Sequence, residues 1–217
     1  MKAGIELVRR DEQPVGTWAG GTTTQLALWP PGSDYGRRDF LWRVSTARVD
    51  LEESPFTPLP GFHRLLMILE GGVSLVHETE GFRRERTLRP FEQDAFEGEW
   101  STVSRGRCVD FNLMTAPGCA GRIEALRSAR KAAAFVLFAE LPDIRGKQPS
   151  FAAEAFYCLE PLRVRGGEKH KFEIELEQGD FLAFREEFPW EPAEAFFERL
   201  GAGGESGVWG IRTTVVC

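Results

Sequence analysis

Histidine is scarce in this chain. Only three occur among 217 residues, and His63, His77 and His170 include no His-x-His pair. A site built from converging imidazoles and a carboxylate needs a fuller ligand set than this, so metal catalysis is disfavoured and no cofactor is expected. Cysteine is almost as sparse. Cys108, Cys119, Cys158 and Cys217 show no Cys-x-x-Cys spacing, which argues against zinc ribbons and dithiol redox motifs. A chain with this much apolar material does not need staples, and reduced thiols are expected. No apolar run is long enough to span a membrane. Met1-Lys2-Ala3-Gly4-Ile5-Glu6 leads straight into charged sequence, without the pattern of a signal peptide. A cytoplasmic location follows as the expectation. There is no Gly-x-Ser-x-Gly elbow and no phosphate loop ending in Gly-Lys-Ser/Thr. Basic charge is outnumbered as well: 27 Lys and Arg face 33 Asp and Glu, for a net charge of -6. Phosphate attraction needs a basic field, so nucleic acid is not an expected partner.

What the chain does have is β-like. Its 23 Gly, 13 Pro and 17 Phe punctuate short apolar runs with turns, the pattern of a mainly β protein. Thr22 to Trp29 reads as a strand after a Gly-Gly turn and stops at Pro30-Pro31. Phe40 to Val49 alternates, with Trp42 and Val44 on one face and Arg43 and Ser45 on the other. His63 to Leu69 is apolar on both faces, as in a strand buried on both sides. Glu70-Gly71-Gly72 turns the chain back into Val73 to His77. In Thr102 to Met114, Val109, Phe111 and Leu113 share one face while Cys108, Asp110 and Asn112 share the other. Thr115-Ala116-Pro117-Gly118 divides the chain into residues 1–116 and 117–217. The second half holds further strands, with a helix as an alternative over Arg122 to Ala139. One short helix is predicted near the C-terminus, Pro192 to Leu200, from Pro near its start and Gly201 past its end.

The polar alternation carries the functional expectation. A sheet face bearing Arg43, Ser45, Asp110 and Asn112 is costly to bury unless those groups bond to one another or to a ligand. Alternation cannot say which face is inside, so an outward solvated row or a self-satisfied Arg-Asp network stays open. Arg64 follows the Pro60-Gly61 turn and could equally be a rim arginine reaching water. Cys108 beside Asp110 has its thiol pKa raised, which makes it a poor nucleophile.

Four segments occur in order: Trp18-Ala19-Gly20-Gly21-Thr22-Thr23-Thr24-Gln25-Leu26, Asp39 to Ala47, Phe56-Thr57-Pro58-Leu59-Pro60-Gly61-Phe62-His63-Arg64, and Asp110-Phe111-Asn112-Leu113-Met114. Together they resemble the HutD/Ves family, closely over the first half of the chain and by general character beyond it. The resemblance implies a bicupin: two jelly-roll β-barrels in one chain, of the RmlC-like cupin superfamily, with the ligand pocket in residues 1–116. It further implies a cytoplasmic regulator linked to histidine utilisation or stress. Such a protein would bind a small anionic metabolite, such as urocanate or a formylated acidic intermediate, without a metal. The implied ligand-binding positions fall on Trp18, Thr23, Gln25, Arg43, Ser45, Arg64, Asp110 and Asn112, with Phe56 and Phe96 as further walls. Many members carry Glu where this chain has Gln25, so ligand identity does not transfer.

Two other readings compete with this one. The first is a metal-dependent oxygenase or isomerase using His63 and His77, placed on neighbouring predicted strands, with a carboxylate. The second is an interaction module that forms a homodimer through a strand edge.

Overall fold

Antiparallel strands account for the architecture in the computed structural model, which describes residues 4–144, 146, 148–166, 171–187, 191–201 and 207–217. The chain opens with β1 (Gly4–Val8) and a single 3-10 turn, Arg10–Glu12. There follow β2 (Val15–Trp18), β3 (Gly21–Trp29), β4 (Trp42–Val49), β5 (Glu53–Pro55), β6 (His63–Gly71), β7 (Val73–Thr79), β8 (Phe82–Leu88), β9 (Gln93–Glu97), β10 (Ser101–Arg105) and β11 (Cys108–Thr115). The rest of the chain forms β12 (Ala120–Arg127), β13 (Ala132–Leu137), β14 (Phe151–Cys158), β15 (Leu162–Gly166), β16 (Glu173–Leu176), β17 (Phe181–Glu187), β18 (Ala193–Arg199) and β19 (Val208–Val216).

The chain resolves into two units. One is Gln13–Cys119; the other joins the N-terminal residues up to Glu12 to Ala120–Cys217. The Gln13–Cys119 unit contains a six-stranded sheet, β2-β3-β4-β11-β6-β9, and a four-stranded sheet, β5-β10-β7-β8. Its core draws Val49, Leu66, Ile68, Phe96 and Cys108 from the larger sheet and Val73, Leu75 and Leu88 from the smaller. The two sheets are therefore layers of one sandwich. The other unit repeats the plan with a five-stranded sheet, β1-β17-β14-β19-β12, and a four-stranded sheet, β13-β18-β15-β16. Its core gathers Phe156, Phe184, Trp209 and Val216 from the first sheet and Leu137, Val164, Leu176 and Phe197 from the second. Each fully buried apolar side chain of this size is worth about 1.5–3 kcal/mol.

The short C-terminal helix does not form. The segment is strand β18, paired antiparallel with both β13 and β15. Ala195 and Phe197 point into the core while Glu194 and Phe196 face out, a period of two that tertiary pairing enforces over the terminal Pro and Gly signals. Among the described residues there is no α-helix, hence none long and apolar enough to cross a membrane. The expectation of four free thiols also needs correcting: Cys108 and Cys158 are free, whereas Cys119 and Cys217 are disulfide-bonded.

The Gly20-Gly21 turn that launches β3 is a close backbone approach. A Cβ on Gly21 would stand 1.9 Å from the Arg48 carbonyl oxygen, a contact that only a backbone shift in the β3–β4 ladder relieves. Gly21→Ala is expected to lower stability by about 1–3 kcal/mol, read as a lower urea midpoint. An unchanged midpoint would show that the ladder tolerates the shift.

Candidate functional site

The register of the six-stranded sheet puts the polar residues on one face. Ser45 lies opposite Gln25 on β3 and opposite Asn112 on β11. Met114 lies between Arg43 on β4 and Arg64 on β6, and Ala47 lies between Thr23 and Asp110. Directly opposed residues share a face and alternation repeats it every second residue. Arg43, Ser45, Arg64, Asp110, Asn112, Thr23 and Gln25 therefore point to the same side as the core residues Leu66 and Ile68. That is the inside, and the outward solvated row is excluded.

There they surround a cavity of about 280 Å³. Thr23, Arg43, Ser45, Arg64, Asp110 and Asn112 line it, with Trp18 and Phe56 as aromatic wall. Gln25 stands behind these residues and acts on Arg43. The Arg43 guanidinium is buried and held by three neutral acceptors: Ser45 Oγ at 2.9 Å, Gln25 Oε1 at 3.3 Å and Thr23 Oγ1 at 3.4 Å. Arg64, only 6% exposed, lies between the rings of Phe56 and Phe96, at 5.0 and 5.1 Å from their centroids. Its Nε has no hydrogen-bond partner. It is a clamped interior cation rather than a rim arginine. Cation–π contact of this kind holds a guanidinium in place without neutralising it.

Asp110, 2% exposed, faces both arginines. Burial pushes its carboxyl up to about 7, against the opposing pull of Arg64 and Arg43. Its Oδ1 is buried with no hydrogen-bond partner, and so is Oδ1 of Asn112. The self-satisfied Arg-Asp network is therefore excluded: these groups converge without completing one another's bonds. Burial lowers the Arg64 pKa to about 10 and that of Arg43 in the same direction. Both remain cations at neutral pH.

Sequence reasoning missed Tyr35. It stands on the loop between β3 and β4, lines the cavity and covers the Arg43 guanidinium at 4.5 Å. Tyr35 stacks on Phe40, which packs on Phe62. Gly16, Thr17 and Thr57 also line the cavity without having been singled out. Tyr35 and Thr57 lie in loops, which carry no periodicity that would reveal them, while Gly16 and Thr17 belong to the short strand β2. Phe96 lies beneath Arg64 and supports it.

The two histidines do not form a metal pair. Strands β6 and β7 belong to different sheets, which corrects their expected adjacency. His63 is on the surface, with Nδ1 3.1 Å from Glu97 Oε1. His77 is fully buried and both ring nitrogens are engaged, Nδ1 with Thr102 Oγ1 and Nε2 with Asp94 Oδ2, each at 2.9 Å. Burial pushes the Asp94 carboxyl up, but the His77 hydrogen bond and the Arg84 charge outweigh it, holding the pKa below the usual range. That cluster is structural. His170 lies outside the described residues. Among the described residues no three His, Cys, Asp or Glu side chains are grouped to hold a metal ion.

Paired β-sheets enclosing a polar, arginine-bearing interior define a cupin-like protein with a candidate ligand pocket. The chain belongs to the HutD family, whose sequence model matches residues 10–144, a span that includes the whole pocket. Protein Ves of Escherichia fergusonii is 33% identical over 110 residues, covering 48% of this chain and 54% of the relative. The chain thus spans about half the length of that relative. Two solved structures match end to end, each covering 98% of both chains. One is a conserved protein of unknown function from Pseudomonas aeruginosa PAO1, with TM-score 0.70 and 21% identity. The other is HutD from Pseudomonas fluorescens SBW25 in a formate condition, with TM-score 0.67 and 19% identity. The oxalate decarboxylase of Lactobacillus farciminis, in a formate complex, has TM-score 0.57 and 8% identity, covering 97% of this chain and 85% of that one. At these identities the structural matches speak for the fold alone.

Proposed function

We propose that the Gln13–Cys119 unit is a receptor for a small anionic metabolite, in a bicupin chain that acts by binding rather than by metal chemistry. One observation carries this reading. Arg43 and Arg64 face one cavity as buried cations, and among the described residues neither is hydrogen-bonded to a carboxylate. A buried charge without a partner is costly, and a carboxylate entering the cavity would supply the partner with charge-assisted bonds. Asn112 Oδ1 is free to accept from a donor on the ligand, and Trp18, Tyr35 and Phe56 provide apolar and aromatic contact. A volume of about 280 Å³ is at the small end for ligand pockets, roughly 300 Å³ and up, which suits a metabolite of a few carbons rather than a nucleotide.

Family membership extends the proposal to a regulatory role of the histidine-utilisation kind, exercised in the cytoplasm through a bound metabolite. Urocanate is the first ligand to try. The formate named for two fold neighbours makes formate the second. Titration of the protein with urocanate, glutarate and formate, followed by thermal melting and calorimetry, tests the reading. At least one is expected to raise the melting temperature. Arg43→Ala and Arg64→Met are each expected to weaken binding about 10- to 100-fold, the scale of one charged hydrogen bond, while the protein stays folded. A folded Arg43→Ala protein with an undiminished response would contradict the proposal.

A further inference from the structure

Among the described residues Asp110 is the one carboxylic acid lining the pocket, and its position is adverse to the ligand that the two arginines favour. With Asp110 ionised the cavity carries one net positive charge; with Asp110 neutral it carries two. An incoming carboxylate must share the enclosure with that aspartate, inside a wall of Trp18, Tyr35, Phe56 and Met114 that screens charge poorly. The aspartate has no compensating bond to lose: its Oδ1 is buried without a partner, and no hydrogen bond ties it to Arg43 or Arg64. Only the charges of Arg64 and Arg43 favour its ionised state, against burial, and a bound carboxylate would engage those same charges.

We infer that this pocket captures its anion together with one proton, which comes to rest on Asp110. The inference rests on the carboxylate-receptor reading above. On binding, a proton leaves solvent, an O–H bond forms on Asp110, and the guanidiniums of Arg43 and Arg64 turn their full charge to the ligand. The neutral carboxyl becomes a hydrogen-bond donor, matched to an oxygen of the ligand.

The groups facing Asp110 support the assignment. From β4 and β6 come Arg43 and Arg64, which remain cations. From its own strand comes Cys108, whose thiol burial and the Asp110 charge push up to about 12, so that it keeps its proton. The loop before β4 brings Tyr35, which interacts electrostatically with both arginines. Asp110 itself, with its carboxyl raised to about 7 by burial, changes state at neutral pH. The proton and the ligand thus promote one another's binding by the same factor. A receptor of this kind reads metabolite concentration and acidity jointly.

Calorimetric titration of the full chain with glutarate, and with formate if glutarate is too weak, decides the matter. Each pH between about 6 and 9 is run in two buffers of different ionisation heat. At pH 7 and above both probes are fully ionised, so proton exchange there reports the protein. The expected result is affinity falling towards tenfold per pH unit above about 7, with proton uptake approaching one per bound anion. Asp110→Asn is expected to bind with nearly pH-independent affinity and no uptake. Should that variant fail to fold, the wild-type proton count alone decides. Binding that is lost in Arg43→Ala but shows no proton uptake in the wild type overturns this inference and leaves the receptor reading intact. Failure of urocanate, glutarate and formate to bind at any pH overturns both.

Discussion

Glu154→Ala is expected to destabilise the protein by about 3–5 kcal/mol, the cost of stranding one member of a buried ion pair. Glu154 on β14 has no exposed side-chain surface. Arg212 on β19 reaches it through Nη2, at 2.8 Å to Oε1 and 2.7 Å to Oε2, and through Nε at 3.1 Å to Oε2. The Phe138 amide donates to Oε1 at 2.9 Å. Removing the carboxylate leaves a largely buried guanidinium and a buried N–H without an acceptor. Glu154→Gln keeps the amide's acceptor and should lose less. The double variant Glu154→Leu/Arg212→Met removes both charges and is expected to recover much of the stability. Urea unfolding of the four proteins measures this; a double variant that loses as much stability as Glu154→Ala, or more, would contradict the coupling of the two residues. The contrast with the Gln13–Cys119 unit is functional. Glu154 and Arg212 complete each other, whereas no hydrogen bond joins Asp110 to Arg43 or Arg64 across the cavity, which is why the proposed receptor site is assigned to the latter group.

Asp110→Asn is expected to raise stability at neutral and alkaline pH. The folded-state carboxyl sits near 7 against 3.8 for the ordinary group, so the folded protein holds a proton that the unfolded chain has released. The stability this confers is complete below the unfolded value, declines as pH rises between the two, and is lost above the folded value. Asparagine stays neutral throughout. The variant should match the wild type near pH 4 and exceed it by about 2–4 kcal/mol near pH 8. Melts at the two values check it. A constant difference across pH would place the titrating group elsewhere. A binding site that is more stable without its acid would show stability given up for function.

The strand pattern exposed much of this in advance. Arg43 and Ser45 on one strand, and Asp110 and Asn112 on another, were legible as polar rows because side chains alternate every two residues. Which face was interior was not legible, since that depends on the pairing of β3, β4, β11 and β6, and pairing is non-local. Tyr35 was invisible because its place over Arg43 is set by the packing of a loop onto Phe40 and Phe62. The role of Gln25 as a brace for Arg43, rather than a wall, needed coordinates as well. In β18, the adjacent Phe196 and Phe197 blurred the alternation while Pro192 and Gly201 imitated helix ends, and partners on both sides decided the outcome.

The pairing of β1 with β17 carries a consequence for vectorial synthesis. Gly4 to Val8 leave the ribosome long before their ladder partners, Arg185 to Phe181, and the ties from Arg9 and Arg10 to Asp180 span 171 and 170 positions. At about 5–20 residues per second, nascent β1 waits on the order of ten seconds for β17, while every strand from β2 to β11 has already emerged and can pair. A segment made well before its partner is among the last to find its place.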